Sequence, residues 1–243
     1  MAGLLALVGG DEFHPGNEEQ DRLLVAAAAA GPAFVLPTAG ARSRPDLAVA
    51  TAQQWFSGLG LKLEGLDVLN RTQANSKELE ARAAGGGFFY LAGGDPGHLA
   101  RTLIGTRVWA AIRRRWLEGA ALAGSSAGAM ALCEWTLIRA SWPHSSQRRD
   151  ERALGVVPGT AVLPHYDTFG QRWVDSASQA LPNAVLLGLD ERTAAVWDGK
   201  WRAAGAGRVV IWRGGEHREF VRQPIDGLPD PRLEEAGADQ ADG

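Results

Sequence analysis

The chain has one cysteine, Cys133, among its 243 residues. That excludes an intramolecular disulfide framework and a cysteine-rich metal site, and no metal or organic cofactor is expected. Long apolar runs are missing as well: no stretch reaches the ~18 residues that a bilayer-spanning helix needs. The opening residues, Met1 to Gly10, lack a basic segment, and their apolar stretch is too short for a secretion signal. They read as a first strand, and a cytoplasmic location without membrane contact is the expectation. Charge of one sign is also missing. Lys and Arg total 25 against 28 Asp and Glu, for a net charge of -3 at pH 7. Such a balance leaves no electrostatic footprint for nucleic acid.

What is present suits one folded unit. Hydrophobic residues make up 45% of the chain, enough for a sizeable core. Short apolar runs alternate with helical patterns over the first two thirds. Strands are predicted at Leu4–Val8, Ala33–Leu36, within Leu61–Leu69, at Phe88–Leu91 and at Ala120–Ala123. A helix capped by Asn17, with Gln20 in the capping-box position, is predicted to run to Ala30. Others are predicted within Arg44–Leu59, at Ser76–Ala84, around His98–Leu103 and at Arg107–Leu117. Continuous apolar strands separated by helices imply an α/β fold: a doubly wound, mostly parallel sheet with helices on both faces. Ligands of such sheets bind at the carboxyl ends of the strands. The last third changes to short strands at Val162–Leu163, Ala184–Leu189, Thr193–Trp197, Trp201–Ala203 and Arg208–Trp212, with a hairpin turn at Asp198-Gly199. A single domain over residues 1–223 is expected, with a small C-terminal antiparallel region and a flexible tail over residues 224–243, which is rich in Pro, Asp, Glu and Gly.

The densest chemical signal is Gly124-Ser125-Ser126-Ala127-Gly128. It follows a buried strand and precedes the helical run Ala129–Leu132, which is the strand–turn–helix setting of a nucleophile elbow. Small residues two before and two after the central serine let the chain turn that tightly, and Gly124 and Gly128 supply them. Ser126 is the candidate nucleophile. A nucleophilic serine needs a base, and that base needs a carboxylate to hold its tautomer. Of five histidines, His165 in Pro164-His165-Tyr166-Asp167 lies where a strand meets a loop, on the same sheet edge as Ser126. His14 lies on that rim too and is the second choice. Leu189-Asp190-Glu191-Arg192 offers two carboxylates at a bend between strands, of which alternation lets one point inward. Asp167 is too close to His165 in the chain for an easy geometry. Oxyanion donors are expected from the N–H groups of Ala127 and of Gly94, the latter in Ala92-Gly93-Gly94-Asp95 after a strand.

Taken together, G-S-S-A-G-A after an apolar strand, A-G-G-D before a helix, P-H-Y-D and G-L-D-E-R-T-A resemble the dipeptidase E and cyanophycinase family of serine peptidases. The resemblance runs from about residue 4 to residue 213. It implies a fold like that of class I glutamine amidotransferases and a Ser–His–Glu triad of Ser126, His165 and Glu191, favouring Glu191 over Asp190. It implies Gly94 and Ala127 as the oxyanion donors and a small peptide as the substrate. Where dipeptidase E members carry a G-E-T-R-like stretch after the histidine, this chain has Thr168-Phe169-Gly170-Gln171-Arg172-Trp173. Where cyanophycinases carry several arginines there, this chain has Arg172 alone. Arg172, Asp95 and His14 are therefore the candidate substrate-binding residues, with Arg172 suited to an acidic side chain.

Two other readings stay open on the sequence: an esterase or acyl-transfer enzyme with the same triad, and a silent amidotransferase-like domain that binds a ligand. Monomer and homodimer are both compatible. Trp109, Trp116 and Trp135 fall in helical segments and read as packing residues, whereas Trp142 and Trp173 fall in loops near the candidate site. Arg113-Arg114-Arg115 reads as a solvated helix face. The polar stretch Ser145–Arg152 reads as a mobile surface loop, with a lid over the site as the sharper alternative. Cys133 is expected two turns along the helix that follows Ser126, buried.

Overall fold

The structure is a computed structural model that describes residues 1–139 and 148–233. Its strands form two sheets among the described residues. The first carries four parallel pairings through β1 (Leu5–Val8), β2 (Ala33–Leu36), β3 (Leu63–Gly65), β4 (Phe88–Leu91) and β5 (Ala121–Ser125). β1, β2 and β4 read as unbroken apolar runs because both of their faces are buried, whereas the edge strand β3 leaves Glu64 exposed. Leu5 and Leu7 of β1 join one core cluster, while Leu4, Ala6 and Val8 join the other. One face is covered by α1 (Glu18–Ala26) and α2 (Pro45–Gly58), through Leu24, Ala52 and Phe56. The opposite face packs Ala74 of α3 (Arg71–Ala74), Ala83 of α4 (Lys77–Ala84), and Leu99, Val108, Ile112 and Trp116 from α5 (Pro96–Leu103) and α6 (Arg107–Leu117).

The second sheet begins where the sequence predicts more helix. The helix after Ser126 is short, Ala127–Leu132 (α7), and Cys133 opens the strand β6 (Cys133–Arg139). Cys133 is buried as expected, but on a strand, and Trp135 is on that strand and not on a helix. The run Ala-Met-Ala-Leu-Cys-Glu-Trp fits either period. Its tertiary partners decide the outcome, because Cys133 pairs with Val157 and Trp135 with Arg152. The expected loop at Ser145–Arg152 is, from Arg148 on, the strand β7 (Arg148–Arg152). Charges at every position suit an edge strand with a wet face. Residues 140–147, including Trp142 and the rest of that predicted loop, lie outside the described residues. Next come β8 (Val157–Leu163) and β9 (Val185–Leu189), parallel to one another.

The C-terminal hairpins divide between the sheets. β10 (Thr193–Trp197) and β11 (Trp201–Gly205) turn at Asp198-Gly199 and add antiparallel to β1. β12 (Val209–Arg213) and β13 (Glu216–Phe220) add antiparallel to β9. The chain thus passes from the second sheet to the first between β9 and β10, and Asp190-Glu191-Arg192 is that crossing. The segment after Pro224, expected to be loose, is held at its near end. Ile225 and Leu228 are buried, and Trp201 Nε1 donates to the Pro229 carbonyl at 2.9 Å. Residues 234–243 of the predicted tail lie outside the described residues. No helix among the described residues is long and apolar enough to cross a membrane.

Candidate active site

Three segments far apart in the chain converge at the carboxyl ends of β5, β8 and β9. Ser126 sits on the elbow with φ 47 and ψ -108, in the left-handed half of the backbone map. The turn closes because Gly124 and Gly128 have no side chains. A Cβ on Gly124 would lie 2.4 Å from the Gly128 carbonyl carbon, and one on Gly128 would lie 2.1 Å from the Leu91 oxygen. The Ser126 N–H donates to the Val8 carbonyl at 2.9 Å, which ties the elbow to β1.

His165 follows the end of β8, also left-handed at φ 48. Its Nε2 lies 3.1 Å from Ser126 Oγ and its Nδ1 lies 2.7 Å from Glu191 Oε1. The tautomer that satisfies both contacts has Nδ1–H donating to the carboxylate and Nε2 accepting from the serine hydroxyl. The ring fits only because residue 10 is glycine: a Cβ there would meet the imidazole at 2.3 Å. Phe169 stacks on its other face, with ring centroids 4.9 Å apart.

Neighbouring carboxylates at the crossing take opposite directions, as strand alternation requires. Glu191 faces His165. Asp190 is buried on the other side, where its Oδ2 accepts from Arg208 N at 2.8 Å and Nε at 3.2 Å. Asp167 is not in line with the imidazole, and its Oδ1 accepts the Glu191 backbone N–H at 2.9 Å. Arg192, left-handed at φ 56, donates from Nε to Asp11 Oδ2 at 2.6 Å.

Glu12, which sequence reasoning passed over, ties the remaining loops together. One of its carboxylate oxygens accepts the Gly93 N–H at 2.8 Å, and the other accepts the Ser125 hydroxyl at 2.9 Å. A single side chain therefore joins the Gly93-Gly94 loop to the residue before Ser126. Asn17 occupies the predicted N-cap position of α1, but its side chain makes no capping hydrogen bond to the helix backbone. Its Nδ2 donates to the carbonyls of Asp11 at 2.7 Å and His14 at 3.1 Å and so shapes the loop that carries Glu12. Among the described residues, Gly94 and Ala127 donate their N–H groups to no other backbone carbonyl. Gly94 has φ 141, and a Cβ there would lie 2.4 Å from the Ala39 oxygen. Five of the six left-handed non-glycine residues described (Asp11, Phe13, Ser126, His165, Arg192) belong to or flank this constellation. Strain of that kind, of order 1–3 kcal/mol per residue, collects where surrounding structure holds a functional geometry in place.

A cleft of about 680 Å³ opens beside Ser126. Gly94 and Asp95 line it, and Asp95 also caps α5 by accepting His98 N–H at 2.9 Å. The other two candidates for substrate contact lie elsewhere. Arg172 is exposed on a 3-10 turn, Gly170–Trp173, and does not line the cleft, although its neighbour Trp173 and the preceding Phe169 do. His14 lines a separate groove with Phe13, Arg22 and Trp55. The left-handed Asp11 and Phe13 rotate Glu12 inward and leave His14 mostly exposed, its Nδ1 3.4 Å from Asp11. Cys133 is no rival nucleophile, because burial pushes its thiol far above the ordinary range.

The sequence pattern of peptidase family S51 matches residues 4–202. The chain belongs to that family. As an S51 member it is a serine-type peptidase. A cyanophycinase from Nostoc sp. is 29% identical over 213 residues, covering 84% of this chain and 72% of the relative. The crystal structure of a peptidase from an acI-B1 Actinobacterium superposes with a TM-score of 0.81 at 30% identity, over 93% of this chain and 97% of the other. A putative peptidase E protein from Listeria monocytogenes shares the fold, with a TM-score of 0.60 at 18% identity over 88% of this S51 chain and 99% of its own.

Proposed function

We propose that this serine peptidase hydrolyses short peptides with a Ser126–His165–Glu191 triad, and that its substrates are of the aspartyl-dipeptide or cyanophycin-like kind. The observation that carries the reading is the unbroken line from Ser126 Oγ through both nitrogens of His165 to Glu191, at 3.1 and 2.7 Å. His165 takes the hydroxyl proton as Ser126 attacks the scissile carbonyl. Glu191 stabilises the imidazolium that forms. The N–H groups of Gly94 and Ala127 receive the oxyanion. His165 then protonates the leaving amine, and water, deprotonated by the same imidazole, releases the acyl group. The names of the relatives, cyanophycinase and peptidase E, support a cyanophycin-like or short-peptide substrate. Departures after His165 leave the side-chain preference to be read from the cleft itself.

The reading is tested with a serine-directed fluorophosphonate and a dipeptide panel of Asp-X, isoaspartyl-X, Glu-X, Arg-X and Ala-X. A single covalent adduct located on Ser126 by peptide mass spectrometry, with hydrolysis of Asp-X or isoaspartyl-X, is the expected result. An adduct at another serine would overturn the assignment.

Glu12 gives a second test. Its carboxylate holds the Gly93-Gly94 loop against the elbow and does not touch the reacting atoms, so it is a positioning residue. Glu12→Ala is expected to lower kcat by roughly 10- to 100-fold with little change in KM, less than outright loss of an oxyanion donor costs. Glu12→Gln keeps an acceptor for Gly93 and is expected to retain most of the rate. A proportional loss in both variants, with KM rising in step, would argue against the positioning role.

A further inference from the structure

The cleft beside Ser126 is ringed by arginines, and two of them are left without a carboxylate among the described residues. Arg101 and Arg149 both approach Glu151: Arg101 Nη1 reaches its two oxygens at 2.8 and 2.9 Å, and Arg149 lies at 3.8 Å. Arg139 and Arg148 face each other in register across β6 and β7. Neither has an acidic partner among the described residues. Like charges directly opposed on a strand pair destabilise it. Here both arginines also line the cleft, Arg148 half-buried and Arg139 exposed.

Arg148 is also held in place. Its guanidinium lies 4.0 Å from the centroid of the Trp173 ring. Trp173 packs on Phe169 at 5.3 Å, and Phe169 stacks on His165 at 4.9 Å. A continuous line of ring contacts, stacked at His165–Phe169 and tilted at Phe169–Trp173, thus runs from the imidazole to the guanidinium. Arg148 Nε is buried with no hydrogen-bond partner among the described residues. Burial, and then the charge of Arg139, pull the Arg148 guanidinium below its ordinary range.

We infer that Arg139 and Arg148 form a carboxylate-binding end of the cleft, and that this pair, not Arg172, makes the enzyme select peptides with a carboxylate near the scissile bond. The inference rests on Ser126 being the reacting serine. A planar carboxylate matches the guanidinium fork and would offset the repulsion between the two cations. It has two possible sources: an acidic side chain on the residue that supplies the scissile carbonyl, or the free C-terminus of a dipeptide.

The test compares Arg148→Gln, Arg139→Gln and Arg172→Gln on Asp-Leu, Asn-Leu and Asp-Leu-amide. Fluorophosphonate labelling of Ser126 is followed in each variant. Arg148→Gln is expected to lower kcat/KM for Asp-Leu by about 10- to 100-fold, the scale of a charge-assisted hydrogen bond. Labelling rate and Tm should stay within twofold and two degrees or so of the wild type, and Arg172→Gln should leave turnover unchanged. Loss of selectivity for Asp-Leu over Asn-Leu would identify the side chain as the carboxylate. Loss of selectivity over the amide would identify the C-terminus. Equal loss on all three peptides, or loss in Arg172→Gln alone, would overturn the inference. Calorimetric binding of Asp-Leu to Ser126→Ala, with and without Arg148→Gln, separates the two readings. Weaker binding in the double variant supports the arginine pair even if the labelled serine proves to be another, and unchanged binding overturns it.

Discussion

Ser126→Ala is expected to lower kcat by roughly 10⁶-fold while leaving Tm and the affinity for a dipeptide nearly unchanged, because residues of a triad act as a unit. Adding His165→Ala to it should cost almost nothing more. The Glu191 and Asp190 variants make the sharper contrast. Glu191 Oε1 lies 2.7 Å from His165 Nδ1 and holds the ring in the tautomer whose Nε2 accepts from the serine. Glu191→Gln keeps the shape but allows an amide donor to face Nδ1, which selects the wrong tautomer, and a fall in kcat of roughly 10⁴-fold is expected. Asp190, one residue earlier, accepts from Arg208 and touches nothing at the reacting end. Asp190→Asn should therefore show its effect in Tm and leave kcat within a few fold. Steady-state kinetics on the four variants, with circular dichroism to check folding, decides the point. Equal kinetic losses at Glu191 and Asp190 would mean that the imidazole is not oriented by Glu191 in solution.

The parts of the candidate site that lie on local patterns were legible in the sequence. Gly124, Ser126 and Gly128 fall within five residues, and their spacing is set by the sterics of one turn. His165 and Gly94 each follow a short apolar strand, and strand ends are where an α/β sheet presents its chemistry. The choice between Asp190 and Glu191 was narrowed to one inward residue by alternation and then turned on resemblance. The parts that were not legible depend on distant partners. Glu12 acts on Gly93 and Ser125, separated from it by 81 and 113 residues, and its own neighbourhood reads as a polar loop. Arg148 lies in a charged stretch with no apolar alternation, so only its pairing with β6 reveals it as a strand facing the cleft. Arg172 lies exposed on a 3-10 turn, and its neighbour Trp173 lines the cleft. The second sheet went unseen for a similar reason. Its first strand continues an apolar run out of α7 with no Gly or Pro to mark the change.

Asp21→Asn is expected to stabilise the protein at pH 8 by about 4 kcal/mol and to have little effect near pH 4. Asp21 lies on α1 with its carboxyl fully buried, accepting from Trp55 Nε1 at 2.7 Å through Oδ2. Burial pushes its pKa from 3.8 to about 7, with the Trp55 hydrogen bond working in the opposite direction and the nearby charge of Glu12 adding to the rise. A raised carboxyl pKa means that the folded state holds a proton the unfolded chain has already lost. Between pH 4 and 7 the folded protein binds more protons, so stability falls as pH rises through that window and levels off above it. The shift from 3.8 to about 7 is roughly three units, and at 1.36 kcal/mol each the full loss is about 4 kcal/mol. Against a typical total of 5–15 kcal/mol that is a large fraction. Asparagine keeps an acceptor for Trp55 and cannot ionise, so it removes the slope without opening a cavity. Thermal unfolding of both proteins at pH 4.5, 6 and 8 reads the effect directly. The variant's Tm should pull ahead of the wild type progressively as pH rises above about 4, and the gap should level off above about 7. A constant difference at all three values would show that Asp21 does not keep its proton in the folded state.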